Sequence, residues 1–198
     1  MAERIPPLKD PFPAEAEAVL RRMMPTGEQP IALFRAFAHN VPMAEAIHAW
    51  GSYALSRRLS VGLRDREIVI DRTCALCGCE YEWGVHVARF ADRVALTASQ
   101  VGSLTHGSSA DPCWDRERDR LLLDLADALH QQHDIDDALW SRLAAEFPQE
   151  QLLDLLMLCG WYHAISCTAR AIRLSPEPGA PRFHDVPAPH APSRAERQ

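Results

Sequence analysis

Apolar side chains recur at helical spacing along most of this chain. Ala16, Val19, Leu20 and Met23 mark a helix over Ala14 to Met24. Pro13 suits its first turn and Pro25-Thr26-Gly27 stops it. Leu33, Phe34 and Phe37 share one side of a second helix, about Ile31 to Ala38, which His39-Asn40-Val41-Pro42 breaks. A third runs from Pro42 to about Arg58 through Ala46, Ile47, Trp50, Tyr53, Ala54 and Leu55. After a turn at Ser60-Val61-Gly62-Leu63, a helix over Leu63 to Thr73 sets Leu63, Ile68 and Ile70 among alternating charges.

Gly78 is expected to interrupt the backbone, and Cys79 to open a new helix reaching about Ala91. Glu80 and Glu82 in its first turn suit the positive end of a helix dipole. Thr97 and Gln100 have the spacing of a capping box for a short helix. A Gly-, Ser- and Asp-rich loop over 105–112 precedes an amphipathic helix from Trp114 to Gln131. The run Asp134-Ile135-Asp136-Asp137 caps the next helix, through Trp140, Leu143 and Phe147. Pro148 starts the last, which is apolar almost all round from Leu152 to Ala171 and is therefore expected to be central. Trp50, Trp114, Trp140 and Trp161 read as core. No segment shows strand alternation and no solenoid repeat is visible, so the prediction is an all-α fold of eight or nine helices. Residues 1–29 form an arm and first helix, and residues 30–173 the helical domain. The Pro-rich tail over 174–198, with six prolines and both charge signs, is expected to be extended or disordered, or to dock on a neighbouring subunit.

Composition narrows the functional classes. With 47% hydrophobic and 24% charged residues in 198, the chain can build a core. A net charge of -6 argues against nucleic acid and anionic membranes as partners. No uninterrupted apolar run approaches the roughly 18 residues of a membrane span. The start, Met1-Ala2-Glu3-Arg4-Ile5-Pro6-Pro7, has no apolar signal region, so a cytoplasmic location is expected, where thiols stay reduced. Six cysteines then point to catalytic, redox or buried roles.

Chemistry concentrates between Glu67 and His86. Counting from Cys79, Glu82 and His86 follow at three and seven residues, so the three side chains are expected on one helical face. A thiol at a helix N-terminus is acidified by unpaired backbone N–H groups, and an ionised Glu82 opposes this. A carboxylate beside an imidazole raises its proton affinity and fixes its tautomer. Glu67 lies across the expected break. Either it folds back to orient His86 or it is a surface acid beside Arg64 and Arg66. Cys74 and Cys77 form a C-x-x-C, readable as small core residues or as a redox pair. A zinc site is disfavoured, and no metal is expected, because no H-x₃₋₅-H or second C-x-x-C follows. Cys159, His163 and Cys167 at four-residue spacing are either packing or a thiol–imidazole stripe near the site. His130 and His133 flank a helix end, where cationic side chains are favoured. Trp83 either walls a pocket or packs.

Arg66-Glu67-Ile68-Val69, then Cys79-Glu80-Tyr81-Glu82-Trp83-Gly84-Val85-His86, then Leu96-Thr97 with a short helix, resembles the carboxymuconolactone decarboxylase family. That family shares an all-α fold with the alkyl hydroperoxidase D proteins. The resemblance extends over roughly residues 30–173. Hydroperoxidases of the group use a glutamate, a C-x-x-C and a histidine as a proton relay to a peroxide-reducing thiol. Glu67, Cys79 and His86 match the glutamate, first cysteine and histidine, whereas Glu82 stands at the second cysteine position. The decarboxylases keep the glutamate and histidine without the thiol pair.

The resemblance therefore implies one of two enzymes, with Glu67 and His86 common to both. The first runs cofactor-free acid–base chemistry on a small carboxylic acid or lactone, with Glu82 or Cys79 shaping the pocket. The second is a thiol peroxidase in which Cys79 attacks peroxide and Cys74 or Cys77 resolves the sulfenic acid. A third reading is a non-catalytic binding or stress-response scaffold. The resemblance also implies a homo-oligomer.

Overall fold

The computed structural model describes residues 2–24 and 27–189. Among these residues there are nine α-helices, two short 3-10 turns and no strand. The stop expected at Pro25-Thr26 lies outside the described residues, as does the end of the tail from residue 190. The helices are α1 (Ala14–Met23), α2 (Ala32–Phe37), α3 (Val41–Ala54), α4 (Leu63–Leu76), α5 (Glu80–Phe90), α6 (Ala98–His106), α7 (Glu117–Gln132), α8 (Asp137–Glu146) and α9 (Gln149–Ala171).

The centre of the fold is α4, which packs against α5, α6, α7 and α9. Every residue from Asp65 to Cys74 is buried, charged ones included. Apart from Asp71 these charged side chains are paired, as is Arg64 just before them: Arg64 with Asp119 at 2.8 Å, Asp65 with Arg118 at 2.7 Å, Arg66 with Glu67 at 2.6 Å and Arg72 with Asp127 at 2.6 Å. Pairing of this kind is what makes burial of ionised side chains tolerable. Conversely α9, expected to be central, lies beside α4 but leaves Leu153 and Met157 exposed. By length and mean hydropathy α9 is apolar enough to cross a membrane even though polar residues interrupt it, and half of that stretch is buried inside the protein.

The α4–α5 junction positions the site. Gly78 has φ +63°, Gly78 N–H donates to Ala75 O at 2.9 Å and Cys79 N–H donates to Cys74 O at 2.8 Å. This is a Schellman stop, and only a residue without Cβ adopts its left-handed turn freely. Cys79 is the N-cap, and α5 starts at Glu80. The capping box at Thr97 and Gln100 forms as expected. Helix α7 starts at Glu117 rather than Trp114, because the Trp114 carbonyl accepts from Arg120 and its indole N–H donates to Ser103 at 2.8 Å. Trp140 is exposed, not core.

The described part of the tail lies on its own chain. Glu177 accepts from the Ala32 N–H at 2.5 Å and from the Tyr81 hydroxyl at 2.6 Å. Glu80 pairs with Arg182 and accepts from the Phe183 N–H at 2.8 Å. The Phe183 ring meets Trp83 edge-on at 5.0 Å. Neither an extended free tail nor docking on a neighbour is needed to cover this surface.

Candidate active site

The three-residue turn at Gly78 folds α5 back along α4 and brings Glu67 to His86. His86 Nδ1 lies 2.8 Å from Glu67 Oε2; Glu67 is fully buried and His86 is buried except for a small edge. The other oxygen of Glu67 accepts from Arg66 Nε at 2.6 Å, and the Arg66 guanidinium lies 5.0 Å over the Phe90 ring. His86 Nε2 lies 3.1 Å from the Tyr162 hydroxyl of α9 and 3.5 Å from Glu82 Oε1. The imidazole is thus held at both nitrogens, and Glu67 is its orienting carboxylate rather than a surface acid.

Burial acts against a charged His86, but the Glu67 carboxylate and its hydrogen bond, with Glu82, outweigh it and raise the imidazole to about 10. At neutral pH His86 is an imidazolium, donating from Nδ1 to Glu67 and carrying a second proton on Nε2. It is a proton donor in its resting state.

Asp71 and Tyr162 belong to the site although no sequence reasoning named them. Asp71 lies one turn beyond Glu67 on α4, fully enclosed, with neither carboxyl oxygen hydrogen-bonded. Burial and the neighbouring Glu67 charge push its carboxyl well above the ordinary range, with only His86 acting the other way. Asp71 is therefore biased toward its protonated form. The four-residue step from Glu67 to Asp71 was a readable signal for a shared face. Tyr162 had none, because only the packing of α9 on α5 brings it in.

A cavity of about 540 Å³ opens on this group. Glu82, His86 and Tyr162 form its reactive wall, while Leu33, Phe34, Phe37, Ile47 and Ile165 give apolar walls. Arg22, Arg89 and Arg93 add cationic groups. Arg22 pairs with Glu45 and Arg89 with Glu28, whereas Arg93 forms no ion pair among the described residues. One oxygen of Glu82 is buried without a partner.

The thiols lie elsewhere. No cysteine lines the cavity. Cys79 is only 1% exposed. It was expected to share the face of Glu82 and His86, but as the N-cap it stands outside the helical register. Burial raises its thiol, and the Glu82 backbone N–H offsets this only in part, so the expected acidification is overridden. Cys74 is buried with Ser166 donating to its sulfur at 3.7 Å, and burial pushes it well up. Cys77 is pushed up to about 11 by burial and points toward His130, 3.9 Å away. All six cysteines are free. Trp83 and His163 do not wall the cavity. Trp83 packs inward against Phe183, and His163 faces His130 at 3.1 Å.

Two groups of side chains bring three metal-ligand donors within 4.8 Å of one another: Glu67, Asp71 and His86, and Cys77, His130 and His163. The first is a poor cation site, because Arg66 already places a positive charge on Glu67 and His86 occupies the other oxygen. In the second no arginine pairs with a donor atom, although Arg170 donates to the Cys77 backbone carbonyl at 2.6 Å, and the donors are one thiol and two imidazoles.

No family model matches the chain, and no curated protein matches it. Among solved structures it is similar to an uncharacterized peroxidase-related protein from Silicibacter sp. TM1040, with TM-score 0.73 and 20% identity over 89% of this chain and 93% of that one. At that identity the likeness establishes a shared all-helical fold.

Proposed function

We propose that this protein is an acid–base enzyme of decarboxylase or lyase type acting on a small carboxylic acid or lactone. One observation carries the reading: the cavity meets His86, Glu82 and Tyr162 and meets no thiol. In the proposed reaction the C–C bond to the substrate carboxylate breaks and CO₂ leaves. The electron pair stays on the adjacent carbon, and the His86 Nε2 proton is transferred there. Glu67 holds the Nδ1 proton, and the neutral imidazole is reprotonated from solvent, by way of Glu82. Arg93 is placed to orient a second anionic or carbonyl group of the substrate, and the apolar walls favour a carbon skeleton over a bare anion.

The second reading is a thiol peroxidase, which has the printed description of the structural neighbour in its favour. Cys79 thiolate would attack the peroxide O–O bond to give a sulfenic acid, the other oxygen leaving as an alcohol or water protonated through His86. Cys74 or Cys77 would then condense with the sulfenic acid to a disulfide, releasing water, and an external thiol donor would return both electrons. Thiol counting after peroxide treatment separates the two. Slow, unselective loss of all thiols, unchanged by Cys79→Ser, is the acid–base result. Rapid loss that needs Cys79 would replace it with the peroxidase reading.

Assembly as a homo-oligomer belongs to the same proposal, supported by the exposed Leu153 and Met157 on α9. Sedimentation of a Leu153→Glu/Met157→Glu double variant should show dissociation. A wild-type monomer would exclude assembly.

A further inference from the structure

The expectation against zinc rested on the absence of a second ligand pair close in sequence. The fold supplies the missing donors from other helices. Cys77 ends α4, His130 lies in the last turn of α7, and His163 lies at mid-length on α9. Cys77 Sγ is 3.9 Å from His130 Nδ1, His130 Nδ1 is 3.1 Å from His163 Nε2, and all three donor atoms lie within 4.8 Å of one another. We propose that Cys77, His130 and His163 form a zinc site, distinct from the cavity and its Glu67–His86 pair.

The geometry is close to what the metal requires. Zinc–nitrogen and zinc–sulfur bonds of about 2.05 and 2.3 Å at tetrahedral angles place two nitrogens about 3.3 Å apart and sulfur about 3.6 Å from nitrogen. The observed 3.1 and 3.9 Å bracket these values to within a few tenths of an ångström. The third separation, Cys77 Sγ to His163 Nε2, lies within 4.8 Å and has to close toward about 3.6 Å when an ion binds.

The outer shell is also in place. His163 Nδ1 donates to the Cys159 carbonyl at 2.8 Å, which leaves Nε2 with its lone pair facing His130 and Cys77. A ligating histidine whose other nitrogen donates to a backbone carbonyl is the usual arrangement around zinc. Two imidazoles and a thiolate suit zinc over magnesium or calcium, which take oxygen ligands. The bound thiol gives its proton to solvent. His130 and His163 are half-buried, so the fourth position is open to water, and Cys167, one turn beyond His163 on α9, is an exposed thiol on the same face. The ion would tie the α4–α5 turn to α7 and α9.

The test uses the full chain, stripped with chelator and titrated with Zn²⁺ by calorimetry and with Co²⁺ by absorption. One ion per chain is expected, with a sulfur-to-cobalt charge-transfer band, tetrahedral d–d bands and a raised Tm. His130→Gln and His163→Gln should each weaken Zn²⁺ binding more than about 100-fold, since even second-shell losses cost 10–100-fold. Cys77→Ser should abolish the charge-transfer band, and Cys113→Ser should leave binding unchanged. Circular dichroism establishes that each variant is folded, and because His130 is half-exposed its variant carries the test if Cys77→Ser fails to fold. Absence of stoichiometric binding, or equal affinity in wild type and both histidine variants, would reduce the cluster to a His130–His163 hydrogen bond and overturn the site.

Discussion

Glu67 Oε2 and His86 Nδ1, 19 residues apart in sequence, lie 2.8 Å from each other in the buried interior. The carboxylate makes the imidazole basic against the pull of burial. Replacing Glu67 by Gln keeps the size and removes the charge. The His86 titration, followed by NMR of isotopically labelled histidine, should fall from about 10 by about 1–3 pH units. An unchanged titration would mean that Glu67 does not set the basicity of His86.

The same pair makes stability pH-dependent. His86 is raised in the folded state from 6.5 to about 10, so its contribution is complete below pH 6.5 and is lost as pH rises through about 10. Urea midpoints of the wild type should drop over this window by more than those of His86→Gln. Buried thiols and tyrosines add a similar slope above about pH 8.5, so the difference between the two proteins at pH 7–8.5 isolates His86. Parallel curves would contradict the assignment of an imidazolium.

Asp71 has the opposite consequence for a carboxyl. Its folded value lies above the usual 3.8 because burial and Glu67 hold the proton on. Above pH 3.8 the unfolded chain releases that proton and the native state does not. The native state is therefore disfavoured by up to about 1.4 kcal/mol per pH unit until the folded carboxyl ionises. Asp71→Asn, which cannot ionise, should be more stable than wild type at pH 7, with the gain shrinking to nothing near pH 3.8. A variant less stable at pH 7 would show that Asp71 is charged and paired.

Gly84 lies in α5 directly beneath the tail. A Cβ there would stand 2.7 Å from the Pro181 carbonyl oxygen. In an open helix Gly→Ala gains about 1 kcal/mol of helix propensity. Here Gly84→Ala should instead destabilise, by displacing the tail from Trp83 and Tyr81. Thermal melts and protease sensitivity of the 175–189 segment check this, and a more stable, equally protected variant would refute the docked tail.

The helices were legible because their apolar spacing and caps are local, as at Thr97–Gln100 and Asp136. The rank of the helices was not. The alternating charges along α4 carried no local sign of burial, and only tertiary pairing with Asp119, Arg118 and Asp127 accounts for it. Glu67 and His86 were readable through a family likeness, while helical counting alone left Glu67 unplaced. Counting misplaced Cys79, because the Schellman stop at Gly78 puts that residue outside the α5 register. His130 and His163 are 33 residues apart, and local spacing does not reveal that α7 and α9 bring their rings together.

The acid–base reading is tested most directly by CO₂ release from a panel of small carboxylated lactones and unsaturated acids, comparing wild type, His86→Ala and Cys79→Ser at pH 7. His86→Ala should lose about 10²–10⁴-fold in kcat/KM while Cys79→Ser stays within about threefold of wild type. Turnover that survives His86→Ala, or that disappears with Cys79→Ser, would contradict it.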